Sequence, residues 1–222
     1  MRPSPIKLSI VVPALNAERF LPACLAALGA WDGAERSLVD GGSSDATCAI
    51  ARDQGWRVVE APRGRGKQLR AGAAAATGDT LLFVHADTVL QPGWTAAAAS
   101  FAGHAGFFRL AFTGDDKRAA RVARLANFRA RTFGLPYGDQ GLLIARDLYD
   151  RLGGYRDLPL MEDVDLVRRI SAKNLRELDA VAATSPARYV RDGWIARPLR
   201  NLSILALWFL GVPPATLARL YR

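Results

Sequence analysis

The segment LSIVVPALNAE, which spans Leu8 to Glu18, joins a nearly unbroken apolar run to a polar turn. An apolar run of this kind, without regular polar alternation, is typical of a strand covered on both faces of its sheet. Similar runs return along the chain, separated by stretches with helical character, at Ser37–Asp40, Arg57–Glu60 and Thr80–Val84. Repeated strand–helix–strand units predict an α/β fold with a mostly parallel central sheet, flanked by helices and joined by right-handed crossovers.

Helical patterns lie between and after these strands. Helices are expected at Ala17–Leu28, from Ser43 or Ser44 to Ala51, at Lys67–Ala76, Lys117–Arg131, Arg146–Leu152 and Met161–Ile170. Two further strands are expected at Gly106–Phe112 and Gly141–Ala145. Because no internal repeat or linker interrupts the chain, the simplest division is one domain at residues 1–192 and a C-terminal helical tail at residues 193–222.

The composition excludes several classes of protein. The chain has 222 residues, of which 50% are hydrophobic, so it can bury a core and is not disordered as a whole. Two cysteines and two histidines are present, which excludes a disulfide scaffold, a four-cysteine zinc site and a three-histidine metal centre.

The charge balance is basic, with 30 Lys and Arg against 21 Asp and Glu and a formal net charge of +9. A basic surface favours an anionic partner, such as a phosphorylated metabolite, a nucleic acid or an anionic membrane face. A genome bias towards Arg and Ala explains the total equally well, so individual positions carry more information than the sum. Nucleic acid is disfavoured because no aromatic residues are interleaved with the basic loop Arg63–Arg70.

The C-terminal segment carries the longest apolar run, Leu202–Val212. It is too short to cross a bilayer, which takes roughly 18 or more apolar residues. This tail is expected to pack on the domain, to form a homodimer face or to lie on a membrane surface. The first residues lack the apolar region of a secretory signal, so we expect a cytoplasmic location, with the inner face of the cytoplasmic membrane as the alternative.

Polar side chains follow three of the expected strands at the points where these strands end. Asn16 and Glu18 follow the first, Asp40 follows the second, and His85 and Asp87 follow the fourth. Because ligands bind beyond the carboxyl ends of the strands in an open parallel sheet, these side chains are expected to meet at one edge. Taken singly, the first three also suit turns and helix caps, whereas a carboxylate directly behind a buried strand, as at Asp87, suits Mg²⁺ or Mn²⁺.

Three further segments combine charge or polarity with turn-forming residues. The loop Arg63–Gln68 fails both the P-loop and the GxGxxG spacing, yet its cations and Arg70 stand around a helix start and suit either a diphosphate or plain solvation. Glu162 and Asp163 open another helix, where they fit either capping or a general base. The loop Tyr137–Gly141 fits either a turn or a substrate loop.

Five segments, taken in order, resemble family 2 glycosyltransferases of the GT-A fold: SIVVPALNAE, LVDGGSSDAT, GRGKQLRAGAAAATGDTLLFVHADT, PYGDQG and GGYRDLPLMEDVDLVRR. The resemblance runs from about Ser9 to the end of the chain and is strongest with the short bacterial subgroup found beside radical-SAM or selenium-related genes. It rests on the order and spacing of the segments, since no single motif is decisive. It implies a GT-A-type, Rossmann-like sandwich as the catalytic domain over residues 1–192.

The resemblance also implies roles for individual residues. The nucleotide-sugar pocket is expected to contain Pro13, Ala14, Leu15, Asn16, Glu18, Asp40, Lys67, Gln68, Arg70, Ala86 and Asp87. Within it, Asp40 would read the base, and Asp87 would hold Mn²⁺ or Mg²⁺ with His85 as a secondary ligand. In the pair Glu162-Asp163, Asp163 would be the catalytic base. The acceptor side would be formed by Tyr137, Asp139 and Gln140.

Two positions depart from the family pattern. His85 replaces the first acid of the D-x-D element, and Arg70 stands where many relatives have Asn, which adds positive charge near the diphosphate. The implied reaction moves a sugar, with inversion, from a UDP- or GDP-type nucleotide-sugar to a hydroxyl-bearing acceptor, for which a lipid-linked molecule is one candidate. The alternatives are a nucleotidyltransferase that acts on a nucleoside triphosphate and a basic module that binds a membrane surface or nucleic acid.

Overall fold

An eight-stranded sheet runs through the protein, as seen in a computed structural model that describes residues 6–221. Its strands are β1 (Leu8–Ala14), β2 (Glu35–Asp40), β3 (Arg57–Glu60), β4 (Thr80–Phe83), β5 (Thr88–Leu90), β6 (Ala105–Phe112), β7 (Leu142–Ala145) and β8 (Leu175–Thr184). Every strand expected from the sequence is present, with ends that differ by at most two residues. Strands β5 and β8 are additional to the prediction.

The strand order is β3-β2-β1-β4-β7-β6-β8-β5, and all strands run in one direction except β5 and β7. The prediction of a mostly parallel sheet is therefore confirmed. The carboxyl ends of the parallel strands share one edge with the amino ends of β5 and β7, because Phe83 lies opposite Leu142 and Thr88 lies opposite Thr184. The loops at this edge come from distant parts of the sequence and are brought together by the sheet.

Helices cover both faces of the sheet. They are α1 (Leu21–Leu28), α2 (Thr47–Asp53), α3 (Arg65–Ala75), α4 (Trp94–Ala99), α5 (Lys117–Phe133), α6 (Arg146–Arg151), α7 (Glu162–Ile170), α8 (Ala187–Asp192), α9 (Ala196–Phe209) and α10 (Pro214–Tyr221). Buried residues of α1, α2 and α4 form a core on one face, and those of α3, α5, α6, α7, α9 and α10 form a second core on the other.

Strand β1 contributes to both cores because alternate side chains of a strand point to opposite faces. Ile10 and Val12 join the core beneath α1, while Val11 joins Leu69 of α3 in the other core. Burying an aliphatic side chain of this size contributes roughly 1.5–3 kcal/mol, which makes β1 a strong centre for the sheet. Gly72 lets α3 approach β1 closely, since a Cβ atom at this position would overlap the side chain of Val11.

The C-terminal tail is attached to the domain by buried side chains and by ion pairs. Ile204 and Leu205 of α9 and Leu217 of α10 belong to the core that contains α7. Asp192 accepts hydrogen bonds from two arginines of α9, which fixes the start of that helix. The tail therefore completes a core. Within the described residues, no helix has both the length and the apolar character needed to span a membrane.

Two helix starts differ from the prediction by three or more residues. Helix α1 begins at Leu21, because the N–H of Ala17 is bonded to Thr47 Oγ1 at 2.7 Å and the chain runs through a turn before the helix. Helix α2 begins at Thr47 and has Asp45 at its start, whose Oδ1 accepts a hydrogen bond from Thr47 N at 3.0 Å. Neither of the preceding serines caps it. A tertiary hydrogen bond therefore accompanies the first boundary, and a local one accompanies the second.

Candidate active site

Two adjoining cavities lie at the edge where the parallel strands end. Cavity A, of about 460 Å³, lies beyond β1 and α3, and this volume is within the range of about 300–1,000 Å³ that is typical of ligand sites. Cavity B lies between the loop that precedes β7 and the start of α7. The side chains that wall both cavities are Arg65, His85, Asp87, Ser185 and Arg188.

Asp87 stands behind β4, at the junction of cavities A and B. Its backbone oxygen accepts a hydrogen bond from Thr184 Oγ1 at 3.3 Å, which fixes this loop against β8. Its carboxylate receives no hydrogen bond from any residue that the structure describes, and Arg188 Nη2 lies 3.7 Å from Oδ2. The carboxylate oxygens therefore keep lone pairs available to a ligand.

Asp163 lies on the first turn of α7 and lines cavity B. Its Oδ2 accepts a hydrogen bond from Gly138 N at 2.8 Å, and its Oδ1 accepts one from Val164 N at 2.8 Å. Glycine is required at position 138 because a Cβ atom there would overlap His85 Nε2 and lie 3.4 Å from Asp163 Oδ2. Asp163, Gly138 and His85 thus form one packed wall of cavity B.

His85 occupies the position of the first acid in D-x-D. Burial lowers the pKa of His85 well below its usual value, and the positive charges of Arg65 and Arg188 lower it further. The imidazole is therefore uncharged near neutral pH and keeps a lone pair on one ring nitrogen. A neutral imidazole can ligate a metal ion or accept a hydrogen bond. His85 therefore offers a lone pair to a ligand at the junction of cavities A and B.

Glu162 borders a small space beside cavity B together with Asp163 but does not line cavity B itself, so its expected share in catalysis stays a prediction. Neighbouring helical residues point about 100° apart, and Asp163 is the member of the pair that lines this cavity. Glu162 is 1% exposed and forms an ion pair with Arg65. Burial raises the pKa of Glu162, and the charge of Arg65 opposes that rise. The side chain therefore positions Arg65, which walls both cavities.

Tyr137 and Asp139 line cavity B, as part of the loop that contains the short 3-10 helix Gly138–Gln140. Asp139 Oδ1 is buried without a hydrogen-bond partner among the described residues. Burial raises the pKa of Asp139 to about 6, against the opposing charge of Arg129. Gln140 is fully buried and donates to a β6 carbonyl at 3.2 Å, so it supports the loop from behind. An unpartnered carboxylate oxygen in a cavity wall suits a substrate hydroxyl.

Three polar residues expected in the nucleotide pocket make hydrogen bonds within or between the loops that follow β1 and β2. Asn16 Oδ1 accepts a hydrogen bond from Ser44 N at 2.9 Å. Glu18 Oε2 accepts one from Ala46 N at 3.0 Å, at the start of α2. The carboxylate of Asp40 accepts hydrogen bonds from two N–H groups of its own turn. Of these three residues, Asn16 lines cavity A, whereas Glu18 and Asp40 border neither cavity A nor cavity B.

Most of the remaining residues expected on the nucleotide-sugar side do border cavity A. They are Pro13, Ala14, Leu15, Gln68, Ala86 and Asp87. Gln68 is 4% exposed, and its Nε2 donates to Ala14 O at 2.7 Å and to Val39 O at 2.9 Å. The amide therefore ties the carboxyl ends of β1 and β2 together from beneath the cavity.

The basic loop divides into residues that reach the site and residues that do not. Arg63 and Arg65 line cavity A. The Nζ atom of Lys67 lies 3.6 Å from Oδ2 of Asp157, and Arg70 is exposed on α3. Neither residue borders cavity A or B. The helical period explains the division, because Arg65 and Gln68 are three positions apart and share a face that Lys67 and Arg70 do not. Of the four cations expected to bind a diphosphate here, Arg63 and Arg65 reach cavity A.

Several residues of the site lie in segments for which the sequence analysis predicts no role. They are Ser185 and Arg188 at both cavities, and Tyr189, Arg197, Asn201 and Tyr221 at cavity B. The alternating segment LRELDAVAAT is a strand signal that places residues 185 and 188 beyond a strand end. Tyr221 Oη accepts a hydrogen bond from Arg197 Nη2 at 3.1 Å and donates one to Asn201 Oδ1 at 3.1 Å. No local pattern predicts these tertiary contacts.

The sequence model of the family described as Glycosyl transferase family 2 matches residues 9–137, which is more than half of the chain. This range contains nearly all of β1, the whole of β2 to β6 and most of the residues that line cavity A, whereas Ser185 and Arg188 lie beyond it. The chain belongs to glycosyltransferase family 2.

Curated relatives match a shorter part of this family 2 chain. An uncharacterized glycosyltransferase of Mycobacterium tuberculosis is 40% identical over 86 residues, which is 38% of each chain. A protein of the same description from Mycobacterium bovis matches to the same extent. The match thus spans well under half the length of these relatives.

Solved structures show the same fold over most of the chain. A mannosyltransferase from Pyrobaculum calidifontis, in complex with GDP-Man and Mn²⁺, has a TM-score of 0.68 at 19% identity and covers 99% of this chain and 69% of its own. Glucosyl-3-phosphoglycerate synthase from Mycobacterium tuberculosis, in complex with Mn²⁺, uridine diphosphate and phosphoglyceric acid, has a TM-score of 0.60 at 20% identity, covering 94% and 80%. The expected GT-A fold is confirmed.

Proposed function

We propose that this family 2 chain transfers a sugar, with inversion at the anomeric carbon, from a UDP- or GDP-type nucleotide-sugar to a hydroxyl-bearing acceptor. The observation that carries the proposal is the placement of Asp87 and Asp163 on the walls of one cavity, B, while Asp87 also reaches cavity A. Cavity A then takes the nucleotide, and cavity B takes the acceptor. The family membership supports this assignment.

A divalent cation, Mn²⁺ or Mg²⁺, fits the donor atoms at Asp87. The free carboxylate oxygens are the hard ligands that these ions prefer, and the neutral imidazole of His85 is a second candidate. Within residues 6–221, no group of three or more His, Cys, Asp or Glu side chains could hold a metal ion alone. The diphosphate and water would therefore complete the shell. A bound cation supplies positive charge to the leaving diphosphate.

Fixed positive charge from the chain itself stands at the same junction. Arg65 and Arg188 wall both cavities, and the buried Glu162 fixes the orientation of Arg65. Negative charge grows on the diphosphate as the bond to the sugar breaks. Preorganised cations stabilise that charge more in the transition state than in the ground state, which lowers the barrier.

Asp163 takes the proton from the acceptor hydroxyl. Each of its oxygens accepts one backbone N–H bond and keeps a lone pair, so the carboxylate is held in place without being blocked. A base on the wall of cavity B and a leaving group in cavity A favour attack from the side opposite the diphosphate. A single displacement of this kind inverts the anomeric carbon and needs no covalent nucleophile.

The decisive experiment is a turnover assay with a panel of UDP- and GDP-sugars in the presence of Mn²⁺. Thermal shift selects the donor first, since a ligand at 100 times its Kd stabilises the folded state by about 2.7 kcal/mol. We expect release of a nucleoside diphosphate and a product of inverted anomeric configuration. Release of pyrophosphate from a nucleoside triphosphate would assign nucleotidyl transfer instead, and a failure to bind any donor would refute the proposal.

We also propose a subgroup, a domain division and a cellular location for the chain. The order and spacing of its five segments support the short bacterial subgroup associated with radical-SAM or selenium-related genes. We keep residues 1–192 as the catalytic domain and residues 193–222 as a tail, whose exposed Leu199 and Leu202 fit a membrane surface or a homodimer face. We place the reaction in the cytoplasm, with the inner face of the cytoplasmic membrane as the alternative, because its anionic leaflet attracts basic proteins.

A further inference from the structure

A third cavity, cavity C, lies between α5 and α9 and is mostly apolar. Its volume is about 750 Å³, and its walls include Val122, Leu125, Phe133, Pro198, Leu202 and Phe209. Leu125 is 68% exposed and Leu202 is 61% exposed, so the cavity opens to solvent between the two helices. Large exposed apolar side chains that line a concave surface mark a binding site.

Cavity C adjoins cavity B, because the two share several walls. The shared residues are Tyr137, Asp139, Tyr189 and Asn201. A molecule whose reacting group lies beside Asp163 can therefore extend past these walls into the apolar space between α5 and α9. Cavity C is thus placed to hold a part of the acceptor that does not react.

Arg129 brings positive charge to the place where cavities B and C meet. Its guanidinium carbon lies 3.4 Å from the ring centroid of Tyr137, and its Nε donates to Leu135 O at 2.9 Å. Its Nη2 is buried and has no hydrogen-bond partner among the residues that the structure describes. An unpartnered buried guanidinium nitrogen suits an anionic group of a ligand.

The outer rim of cavity C is also cationic. Arg168 lies over the ring of Phe209, with 4.8 Å between the guanidinium carbon and the ring centroid. Arg121 and Arg124 stand beside Leu125 on α5, and no carboxylate of residues 6–221 forms an ion pair with either. Apolar walls with a cationic rim complement a molecule that combines a hydrocarbon chain with negative charge.

We propose that the acceptor is an anionic amphiphile whose hydrocarbon chain lies in cavity C, whose anionic group meets Arg129 and whose hydroxyl reaches Asp163. The inference rests on the proposed glycosyl transfer, because it names the acceptor class of that site. The contact with cavity B favours this occupant over a second copy of the chain.

Dodecyl phosphate, used below its micelle concentration, is the probe, and its binding to the full chain is measured by titration calorimetry. Hexyl phosphate and inorganic phosphate serve as shorter probes with the same charged group. Since each methylene removed from water raises affinity about fourfold, we expect dodecyl phosphate to bind at least about tenfold more tightly than hexyl phosphate. Inorganic phosphate should bind most weakly.

Two glutamate variants on one helix separate cavity C from the surrounding surface. Leu202→Glu places a charge in the apolar wall and should weaken dodecyl phosphate binding at least about tenfold. Leu199→Glu changes a residue of similar exposure, 58%, outside the cavity walls, and is the matched control that should keep the wild-type affinity. Leu125→Glu repeats the test from α5. Thermal midpoints establish that each variant is folded.

Three outcomes would overturn the proposal. Equal affinity of Leu202→Glu and Leu199→Glu would show that the chain does not enter cavity C, as would equal binding of dodecyl and inorganic phosphate. Conversion of a dimer to a monomer by Leu202→Glu, measured by light scattering, would assign the cavity to a second copy. Binding of nucleotide-sugars by the wild type is measured in parallel. Its absence would remove the acceptor role and count against the proposed function, whereas the probe series tests cavity C separately.

Discussion

Asp163 Oδ2 accepts a hydrogen bond from the backbone N–H of Gly138 at 2.8 Å, and this bond joins the first turn of α7 to the loop that leads into β7. Two walls of cavity B that are distant in sequence are thereby held together. A general base acts only when it is held within hydrogen-bond reach of the proton it removes. The position of the proposed base therefore depends on a glycine that contributes no side chain.

Replacing the base should separate catalysis from binding. Asp163→Asn keeps the size of the side chain and an acceptor oxygen for Gly138, but it cannot take a proton. We expect kcat to fall by about 10²–10⁴-fold, which is the usual contribution of a general base. Donor affinity, measured by calorimetry, should stay near that of the wild type, and Asp150→Asn on the exposed side of α6 serves as the control. A parallel loss of donor binding would make the role of Asp163 structural.

Replacing Asp87, the proposed metal ligand, should weaken nucleotide binding. Asp87→Asn keeps the shape of the side chain but removes the charge that attracts a cation. We expect the affinity for UDP or GDP in the presence of Mn²⁺ to fall by about tenfold, or roughly 1.4 kcal/mol. Affinity measured with a chelator should change less. Unchanged Mn²⁺-dependent affinity in the variant would rule out Asp87 as a ligand.

Adding a single carbon at position 138 should lower the free energy of unfolding. The Cβ atom in Gly138→Ala would overlap His85 Nε2, and such overpacking costs about 1–3 kcal/mol of the free energy of unfolding. The smaller side chain in His85→Ala relieves the overlap, so the same glycine substitution should cost less in that background. Urea unfolding of the four proteins measures the coupling. Additive effects would mean that the two residues do not touch.

The ion pair beneath the cavities should matter more than one on the surface. Glu162→Gln leaves Arg65 without its buried partner, so we expect a loss of about 1–3 kcal/mol in the free energy of unfolding, together with weaker donor binding. Glu177→Gln breaks a solvent-screened pair with Arg131 and should cost clearly less. Similar costs in the two variants, with unchanged donor binding, would contradict the positioning role of Glu162.

Asp139 should make stability depend on pH. Burial raises the pKa of Asp139 from its ordinary value of 3.8 to about 6, so the folded protein binds this proton more tightly than the unfolded chain. The resulting stabilisation is complete below about pH 4 and is lost as pH rises through 6. Because Asn imitates the protonated carboxyl, Asp139→Asn should raise the free energy of unfolding at pH 7.5 by up to about 2–3 kcal/mol and by little at pH 4.

Urea titrations of the wild type and of Asp139→Asn at the two pH values measure this effect. Asp53→Asn, which removes an exposed carboxylate on α2, is the control for a change in net charge. A stability difference between wild type and Asp139→Asn that is the same at pH 4 and pH 7.5 would mean that the carboxyl is not shielded from water.

The sequence predicts those parts of the site that directly follow the strands along the chain. Asp87 follows a buried apolar run, and the residues behind β1 bound cavity A, because strand ends of a parallel sheet share one edge. Whether a polar side chain at such a point faces the cavity or the protein is decided by neighbouring loops. Asp40 turns to backbone N–H groups of its own turn and Glu18 turns to one of the adjacent loop, and no property of either residue alone distinguishes the two outcomes.

Helical positions are harder to assign when the phase of the helix is unknown. Lys67 and Arg70 lie on faces of α3 that miss the cavities, and Glu162 lines neither cavity A nor cavity B, although all three residues stand in charged, motif-like segments. Arg188 is missed for another reason, because it follows β8, whose alternating pattern is additional to the prediction. Contacts that join the tail to the site depend on tertiary packing and leave no local signal.

The hydrogen bonds of Tyr221 make the last described turn of the chain part of cavity B. A bulky group attached next to this tyrosine would therefore occlude cavity B. The start of β1 at Leu8 lies at the opposite edge of the sheet from the cavities. A reporter or surface linker inserted at the edge of the sheet where Leu8 lies would therefore be remote from both cavities.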